Sequence, residues 1–180
     1  MGNPLFDIKG KVIVVTGGAG VLGGSIAEYL LKEGATVIII SRSESTVAAK
    51  LEVLKKISDD VLGFPCDVLN ETSLIEVKDK IFEKRGKIDA LINAAGGNMP
   101  GATISPDQNV FDLEMADFRK VSELNLDGTV LPSLVFGKEI VANGKGSIIN
   151  ISSMASAQAI TRVIGYSASK AAIDNLTKRL

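Results

Sequence analysis

Apolar runs of strand length alternate along this chain with longer segments of helical period. The strands are predicted at Lys11 to Thr16, Thr36 to Ser41, Val61 to Cys66, Asp89 to Asn93 and Gly146 to Ile151. Helices are predicted between and after them, at Leu22 to Lys32, Ser45 to Ile57, Asn70 to Arg85, Glu114 to Val141 and Gly165 to the end. Four of the strand segments are too uniformly apolar to have a wet face, which is the mark of a parallel sheet covered by helices on both sides. Gly34, Gly63, Gly86 and Gly144 read as stops or turns between units. Right-handed βα crossovers then give an α/β, doubly wound parallel sheet ordered 3-2-1-4-5, with its ligand crevice at the carboxyl ends of strands one and four. The longest irregular stretch, Gly96 to Asp112, contains Pro100, Gly101 and Pro106, and a loop of that length in an α/β domain is a functional candidate.

The turn after the first strand, Thr16-Gly17-Gly18-Ala19-Gly20-Val21-Leu22-Gly23, organises the rest. Glycines there tolerate φ > 0 and remove the Cβ atoms that would keep an anion from the N–H groups at the positive end of a helix. Glycine clusters also make ordinary tight turns, but the βαβ unit that follows favours a pyrophosphate, with Gly17, Ala19, Gly20, Leu22 and Gly23 as its contacts. After the second strand the chain reads Ser41-Arg42-Ser43, roughly 20 residues beyond the glycine turn, where an NAD site of this type places an acidic residue on the ribose hydroxyls. A hydroxyl followed by a guanidinium suits a 2′-phosphate better, so Ser41 and Arg42 favour NADP(H), with NAD(H) as the alternative if Arg42 is only a solvated loop cation. Asp67 and Val68 follow the third strand, and Asp67 is placed to accept from an adenine amino group or to cap the next helix, a role that Asn70 also suits.

Composition narrows the chemistry further. With 180 residues and 46% hydrophobic content, residues 1–180 are long enough for one domain with a developed core. Twenty basic and twenty-one acidic residues leave a net charge of −1 and no basic run that would mark a nucleic-acid or membrane partner, so a small molecule is expected. Met1 to Asp7 lacks a secretory pattern, Phe6 stands at the Ser/Thr position of a myristoylation signal, and no run has transmembrane length. The single cysteine, Cys66, reads as a small buried hydrophobe, and the chain reads as cytoplasmic. Histidine is absent, which excludes Ser-His-Asp and Cys-His catalysis and histidine-ligated metal sites. Tyr, Lys, Ser, Asn, carboxylates or a cofactor must do the work.

Tyr166 and Lys170 are four apart and share one helix face. A cation beside a phenol favours the phenolate and makes the hydroxyl a better proton donor or acceptor near neutral pH. Ser153, 13 residues before Tyr166 and just past the fifth strand, stands at the same sheet edge as the crevice. Asn125 and Gly128 are poor helix formers inside a predicted helix, and read either as a tolerated defect or as a kink that holds a water.

With these residues on the page, the chain resembles the short-chain dehydrogenase/reductase family, a Rossmann-type fold. The family's glycine loop falls on Thr16-Gly17 through Gly23, its Asn-x-Ala-Gly motif on Asn93-Ala94-Ala95-Gly96, and its Asn-Ser-Tyr-Lys tetrad on Asn125, Ser153, Tyr166 and Lys170. The stretches Ile92 to Thr103, Asn125 to Pro132 and Ala159 to Tyr166 are similar to the bacterial D-mannonate oxidoreductase subgroup, which interconverts D-mannonate and D-fructuronate. The resemblance adds Asn93, Ala94 and Gly96 to the cofactor contacts, together with Tyr166 and Lys170. It implies that Tyr166 exchanges a proton with the substrate oxygen while Lys170 holds the nicotinamide ribose and tunes Tyr166. Ser153 would hydrogen-bond the carbonyl, Asn125 would position a water, and no metal is needed. Arg162, four residues before Tyr166, is the expected partner of a sugar-acid carboxylate, which makes Ser153, Arg162 and Tyr166 the substrate residues. The family also implies a homodimer or homotetramer built through the helices after strands four and five. Other readings are a gluconate-type or 3-oxoacyl reductase, and a dinucleotide-binding fragment without turnover.

Two departures from the family pattern carry expectations of their own. A family glycine is replaced by Val21, and a β-branched residue does not readily take φ > 0, so Gly20 is expected to supply that freedom one residue early. The chain ends at Thr177-Lys178-Arg179-Leu180, whereas family members run on for about 80 residues, within the usual size of one α/β domain. The last two family strands are therefore expected to be missing, as in a truncated domain or an incomplete record of a longer chain.

Overall fold

The computed structural model describes residues 7–180; the reading of the first six residues as free of a leader falls outside them. β1 (Val12–Thr16), β2 (Thr36–Ser41), β3 (Val61–Pro65), β4 (Ala90–Asn93) and β5 (Ser147–Asn150) form one parallel sheet in the order β3-β2-β1-β4-β5. This is the predicted doubly wound order, and its register sets Thr16 of β1 beside Ile40 of β2 and Asn93 of β4, so that these strands end at one level. The helices are α1 (Val21–Lys32), α2 (Glu44–Leu54), α3 (Glu71–Arg85), α4 (Met115–Ser122), α5 (Gly128–Ala142) and α6 (Ile164–Thr177).

The uniform apolarity of the strands has its cause in two cores. Val12 and Val14 of β1, Ile38 and Ile40 of β2 and Leu91 of β4 pack on one face, against Leu74 and Ile81 of α3 and Phe136 and Ile140 of α5. Their alternates, Ile13, Val15, Val37, Ile39 and Ile92, pack on the other face against Ala27 and Leu31 of α1 and Val47 and Leu54 of α2. Because side chains of a strand alternate between faces, a strand covered on both must be apolar at every position. Each such aliphatic side chain contributes roughly 1.5–3 kcal/mol. β5 is the edge strand of the described sheet, and Ser147 and Ile149 are exposed on it.

Helix ends follow local chemistry. Ser43 caps α2 through Thr46 N–H, Asn70 caps α3 by accepting from Ser73 N–H at 3.0 Å, and Gly86 closes α3 in the left-handed region at φ 72°. Gly34 and Gly144 are likewise at positive φ in their turns, but Gly63 is no turn: it lies within β3, where Val47 and Leu51 of α2 occupy the space of a Cβ. The long predicted helix Glu114 to Val141 is corrected to two, α4 and α5, joined by a π-helical turn at Glu123–Asp127. Such a turn inserts an extra residue into the ladder, and Asn125 lies at its centre, with its side chain bonded both to Val121 O of α4 and to the loop after β4. The loop Gly96 to Asp112 carries two short 3-10 turns, Pro100–Ala102 and Val110–Asp112.

Candidate active site

A crevice of about 470 Å³ opens at the carboxyl ends of the central strands. One end is the turn between β1 and α1. Gly17 has φ 66°, and a Cβ on it would lie 2.8 Å from Ala94 O and Ala95 N, while a Cβ on Gly23 would collide with Gly17 O. Thr16 fixes the facing loop, since its hydroxyl accepts from both Ala94 N–H and Ala95 N–H at 3.2 Å. Backbone thus approaches backbone where side chains cannot fit. α1, unlike α2 and α3, has no side-chain cap. Its first N–H groups are therefore open toward the crevice, which fits a pyrophosphate.

The expected role of Gly20 is corrected here. Gly20 has φ −77° and extended ψ as the residue before α1, so in this turn the positive φ belongs to Gly17. Val21 is the first residue of α1 and takes a helical conformation that any L-residue adopts, with its side chain 92% exposed at the crevice. Leu22 and Gly23 line the crevice beside it, whereas Ala19 does not.

At the far end, Ser41, Arg42 and Val68 line the crevice, together with Cys66, whose thiol burial pushes up to about 11. That value makes Cys66 an inert wall. Asp67 is exposed and outside the lining; its carboxylate accepts from Leu69 N–H at 3.0 Å, while Asn70 caps the helix.

The catalytic candidates gather at the other side. Tyr166 and Lys170 both line the crevice, and the Lys170 ammonium lies 5.7 Å from the Tyr166 ring centroid. Lys170 is only 5% exposed and donates to Ile151 O at 2.7 Å. Its pKa lies below the ordinary lysine value because burial penalises the charge, and the Asp174 carboxylate opposes that shift. Ser153, outside the lining, stands half-buried at the start of the Met154–Ser156 turn and accepts from Ala155 N–H at 3.2 Å, which leaves its hydroxyl proton to give. Ser152, next to it, lines the crevice.

Two of the expected site residues are bonded to other parts of the fold. Asn125 is fully buried, and its amide is committed to backbone: Nδ2 donates to Gly97 O at 2.8 Å and Val121 O at 2.7 Å, and Oδ1 accepts from Gly97 N–H at 3.1 Å. The side chain is a clamp on the loop after β4. Gly96 is the thin partition beside it, since a Cβ there would meet Asn125 Oδ1 at 2.7 Å and approach Lys170 Nζ at 3.6 Å. Asn93 is buried and outside the lining; its Nδ2 donates to Ser133 Oγ and Asn150 Oδ1, both at 2.9 Å. It ties β4 to α5 and β5, whereas Ala94 and Gly96 line the crevice. Arg162 is exposed, outside the lining, and at φ 72° is the one non-glycine residue with positive φ among the described residues. Its carbonyl accepts from Ile104 N–H at 3.0 Å, which ties the segment before Tyr166 to the Gly96–Asp112 loop.

Sequence reasoning missed Val21, Ile40, Cys66 and Ala95 as parts of this site, and also Ser152, Ile151, Gly97 and Leu124. Gly97 had a signal in its adjacency to Gly96; Ile151 and Leu124 have none, because they contribute backbone or plain apolar surface. Among the described residues, no cluster of three His, Cys, Asp or Glu could hold a metal ion, and no helix is long and apolar enough to cross a membrane.

The sheet, the turn and the crevice together define a doubly wound nucleotide-binding fold of the Rossmann type. A family profile described as short chain dehydrogenase matches residues 11–180, and the chain belongs to that family. It is 36% identical over 179 residues to an uncharacterised oxidoreductase, UxuB, of Bacillus subtilis strain 168, covering 95% of this chain and 64% of that protein. It is 33% identical to an NAD-dependent glycerol dehydrogenase of Listeria innocua, covering 97% of this chain and 65% of that one. Among solved structures, a candidate D-mannonate oxidoreductase from Haemophilus influenza with bound NAD superposes with a TM-score of 0.88 at 31% identity, covering 96% of this chain and 65% of that chain. The chain therefore spans just under two thirds of the length of these relatives.

Proposed function

We propose that this chain is the dinucleotide-binding and proton-transfer part of an NAD(P)-dependent oxidoreductase that interconverts a keto sugar acid and its hydroxy acid, D-fructuronate and D-mannonate. The observation that carries the reading is the Tyr166–Lys170 pair, held in the wall of a crevice whose other end is an uncapped helix N-terminus on a glycine turn. A bound nicotinamide supplies or accepts the hydride. Tyr166 gives its hydroxyl proton to the oxygen that becomes the alcohol, and takes it back in the reverse direction. Lys170, anchored on Ile151 O, keeps positive charge against the phenol, and the free hydroxyl proton of Ser153 stabilises charge growing on the same oxygen. Asn125 contributes by holding the Gly96–Gly97 wall still.

The likeness to the candidate D-mannonate oxidoreductase supports the sugar-acid substrate. The glycerol dehydrogenase relative supports the second reading, another sugar or polyol oxidoreductase, of which a gluconate-type or 3-oxoacyl reductase is the form expected from the sequence; a third is a dinucleotide-binding fragment without turnover. NADPH and NADH oxidation with D-fructuronate separates these, measured on this chain and on any longer form its coding sequence permits. Cofactor binding without turnover by either form rejects the sugar acid. The protein is proposed to work in the cytoplasm as a homodimer or homotetramer, through the outward face of α5, where Leu134 and Val141 are 62% and 79% exposed.

Two finer expectations belong to this reading. Arg42 at the crevice, with Ser41 in place of an acid, favours NADP(H), although the NAD-bound and NAD-dependent relatives speak for NAD(H). Arg42→Gln is expected to raise the KM for NADPH about tenfold or more and leave that for NADH nearly unchanged, as loss of a charge-assisted hydrogen bond requires. Equal effects on both cofactors would assign Arg42 to the solvated surface. Arg162→Gln is expected to raise the KM for D-fructuronate about tenfold with kcat retained; an unchanged KM removes Arg162 from the substrate site.

A further inference from the structure

Helices α4 and α6 meet more closely than side chains normally allow. A Cβ on Gly165, the second residue of α6, would lie 2.6 Å from Val121 Cγ1, 3.1 Å from Phe118 Cδ2 and 3.5 Å from Phe118 Cα, all on α4. Val121 is fully buried, and a branched side chain on a helix keeps one preferred rotamer, so it has no room to turn aside. One turn further along α6, the buried Ser169 donates to Gly165 O at 2.6 Å. The chain enters the contact through Arg162, whose carbonyl accepts from Ile104 N–H at 3.0 Å, so the start of α6 is held from two sides. Glycine is a poorer helix former than alanine, and the nearness of Val121 is the steric reason for its place beside Tyr166.

Val121 has a second contact. Its carbonyl accepts from Asn125 Nδ2 at 2.7 Å, and the same amide donates to Gly97 O and accepts from Gly97 N–H. The Val121 side chain thus abuts the residue before Tyr166, while its backbone holds the clamp on the Gly96–Gly97 wall. A Cβ on Gly96 would lie 3.6 Å from Lys170 Nζ, on the far side of that wall. One buried residue of α4 is in this way the common reference of Tyr166 and the wall.

We propose that Gly165 is a positioning residue of this site, whose contact with Val121 sets the placement of Tyr166 relative to the Gly96–Gly97 wall. The consequence for turnover rests on the oxidoreductase reading; the contact and its transmission to Gly97 do not. A methyl group at position 165 has to move the first turn of α6 away from α4 by about 1 Å to reach an ordinary carbon–carbon separation. Lys170, anchored on Ile151 O a turn further on, moves less, so Tyr166 shifts against both the lysine and the wall. A misplacement of that size at a reacting group lowers turnover by about a hundredfold.

Each end of this linkage is perturbed and read at the other, by NMR of isotope-labelled protein. Gly165→Ala is expected to shift the Gly97 amide resonance, and Val121→Ala, which opens the same contact, to shift the ring resonances of Tyr166. The ring of Tyr29, exposed on α1, is expected to stay unmoved in both. In the longest form of the enzyme, Gly165→Ala is expected to lower kcat for D-fructuronate about tenfold to a hundredfold, while the Kd for NADPH and NADH, followed by fluorescence, changes far less. A glycine of merely local importance would give an alanine variant as active as the unsubstituted enzyme and at least as stable. The double variant Gly165→Ala/Val121→Ala, from which the colliding Cγ1 is gone, is expected to regain kcat. Where Gly165→Ala alone does not fold, Val121→Ala is read at Gly97 as well as at Tyr166, with both expected to move. A resonance that stays still at either end, an unchanged kcat in folded Gly165→Ala, or a double variant no more active than Gly165→Ala overturns the proposal. Shifts at both ends in a protein that turns over no D-fructuronate support the linkage and overturn the functional reading instead.

Discussion

Replacing Tyr166 by phenylalanine is expected to lower turnover about a hundredfold to ten-thousandfold while the dinucleotide still binds. The ring stays in place beside Lys170 and on the crevice wall, and only the transferable proton is gone. Loss of a positioned general acid has effects of about that size. No other hydroxyl can substitute: Ser153 has a proton to donate, but no cation is bonded to it that would let it act as the acid, and Ser152 turns toward α6. The measurement is steady-state reduction of D-fructuronate by the longest form of the enzyme, with cofactor affinity measured separately by fluorescence. A kcat within about threefold of the unsubstituted enzyme lies far outside the range for such a loss and would remove Tyr166 from the chemistry. Lys170→Ala is the contrasting case, in which cofactor affinity falls together with turnover.

Asn125→Ala is expected to destabilise the fold by about 2–4 kcal/mol, because it strands Val121 O in a buried place and leaves Gly97 N–H and Gly97 O without their partner in a half-buried one. For a chain of this size that corresponds to a fall in Tm of roughly 5–15 °C. Thermal denaturation measures it, and a loss of under about 1 kcal/mol would mean that water replaces the amide without cost. Turnover should fall further than stability alone explains, since the wall made by Gly96 and Gly97 separates Asn125 from Lys170.

Much of this was legible before any coordinates. The sheet order could be read because Val12 to Val15 and Val37 to Ile40 admit no wet face, and right-handed crossovers leave few ways to arrange such strands. The Tyr166–Lys170 pair was legible because a spacing of four puts both on one face of α6. Asn125 was visible as an anomaly in a helix, and the π-turn at Glu123–Asp127 is its physical form. What it does there was not visible, because its partner Gly97 is 28 residues away along the chain and nothing local encodes that meeting. The same holds for Asn93, which looks like part of the loop motif that follows it but bonds across the sheet to Ser133 and Asn150.

Sequence by itself determined the periodicities, the caps and the turn chemistry, since these depend on neighbours within a few residues: Asn70 before α3, Gly86 after it, and the glycines ahead of α1. It also limited the chemistry, because a chain without histidine must use groups such as Tyr166 and Lys170. Tertiary structure decided which of the glycines is conformationally required. Gly17 must be glycine because its own φ is positive and Ala94 approaches it, whereas Val21 is free to carry a side chain because α1 begins there. It decided as well that Lys170 is buried in the crevice wall and donates to Ile151 O, and that Asn125 bonds to Gly97. Burial and long-range hydrogen bonding are properties of surfaces brought together by folding, and residues far apart in the chain acquire them only when the sheet has set the distance between them.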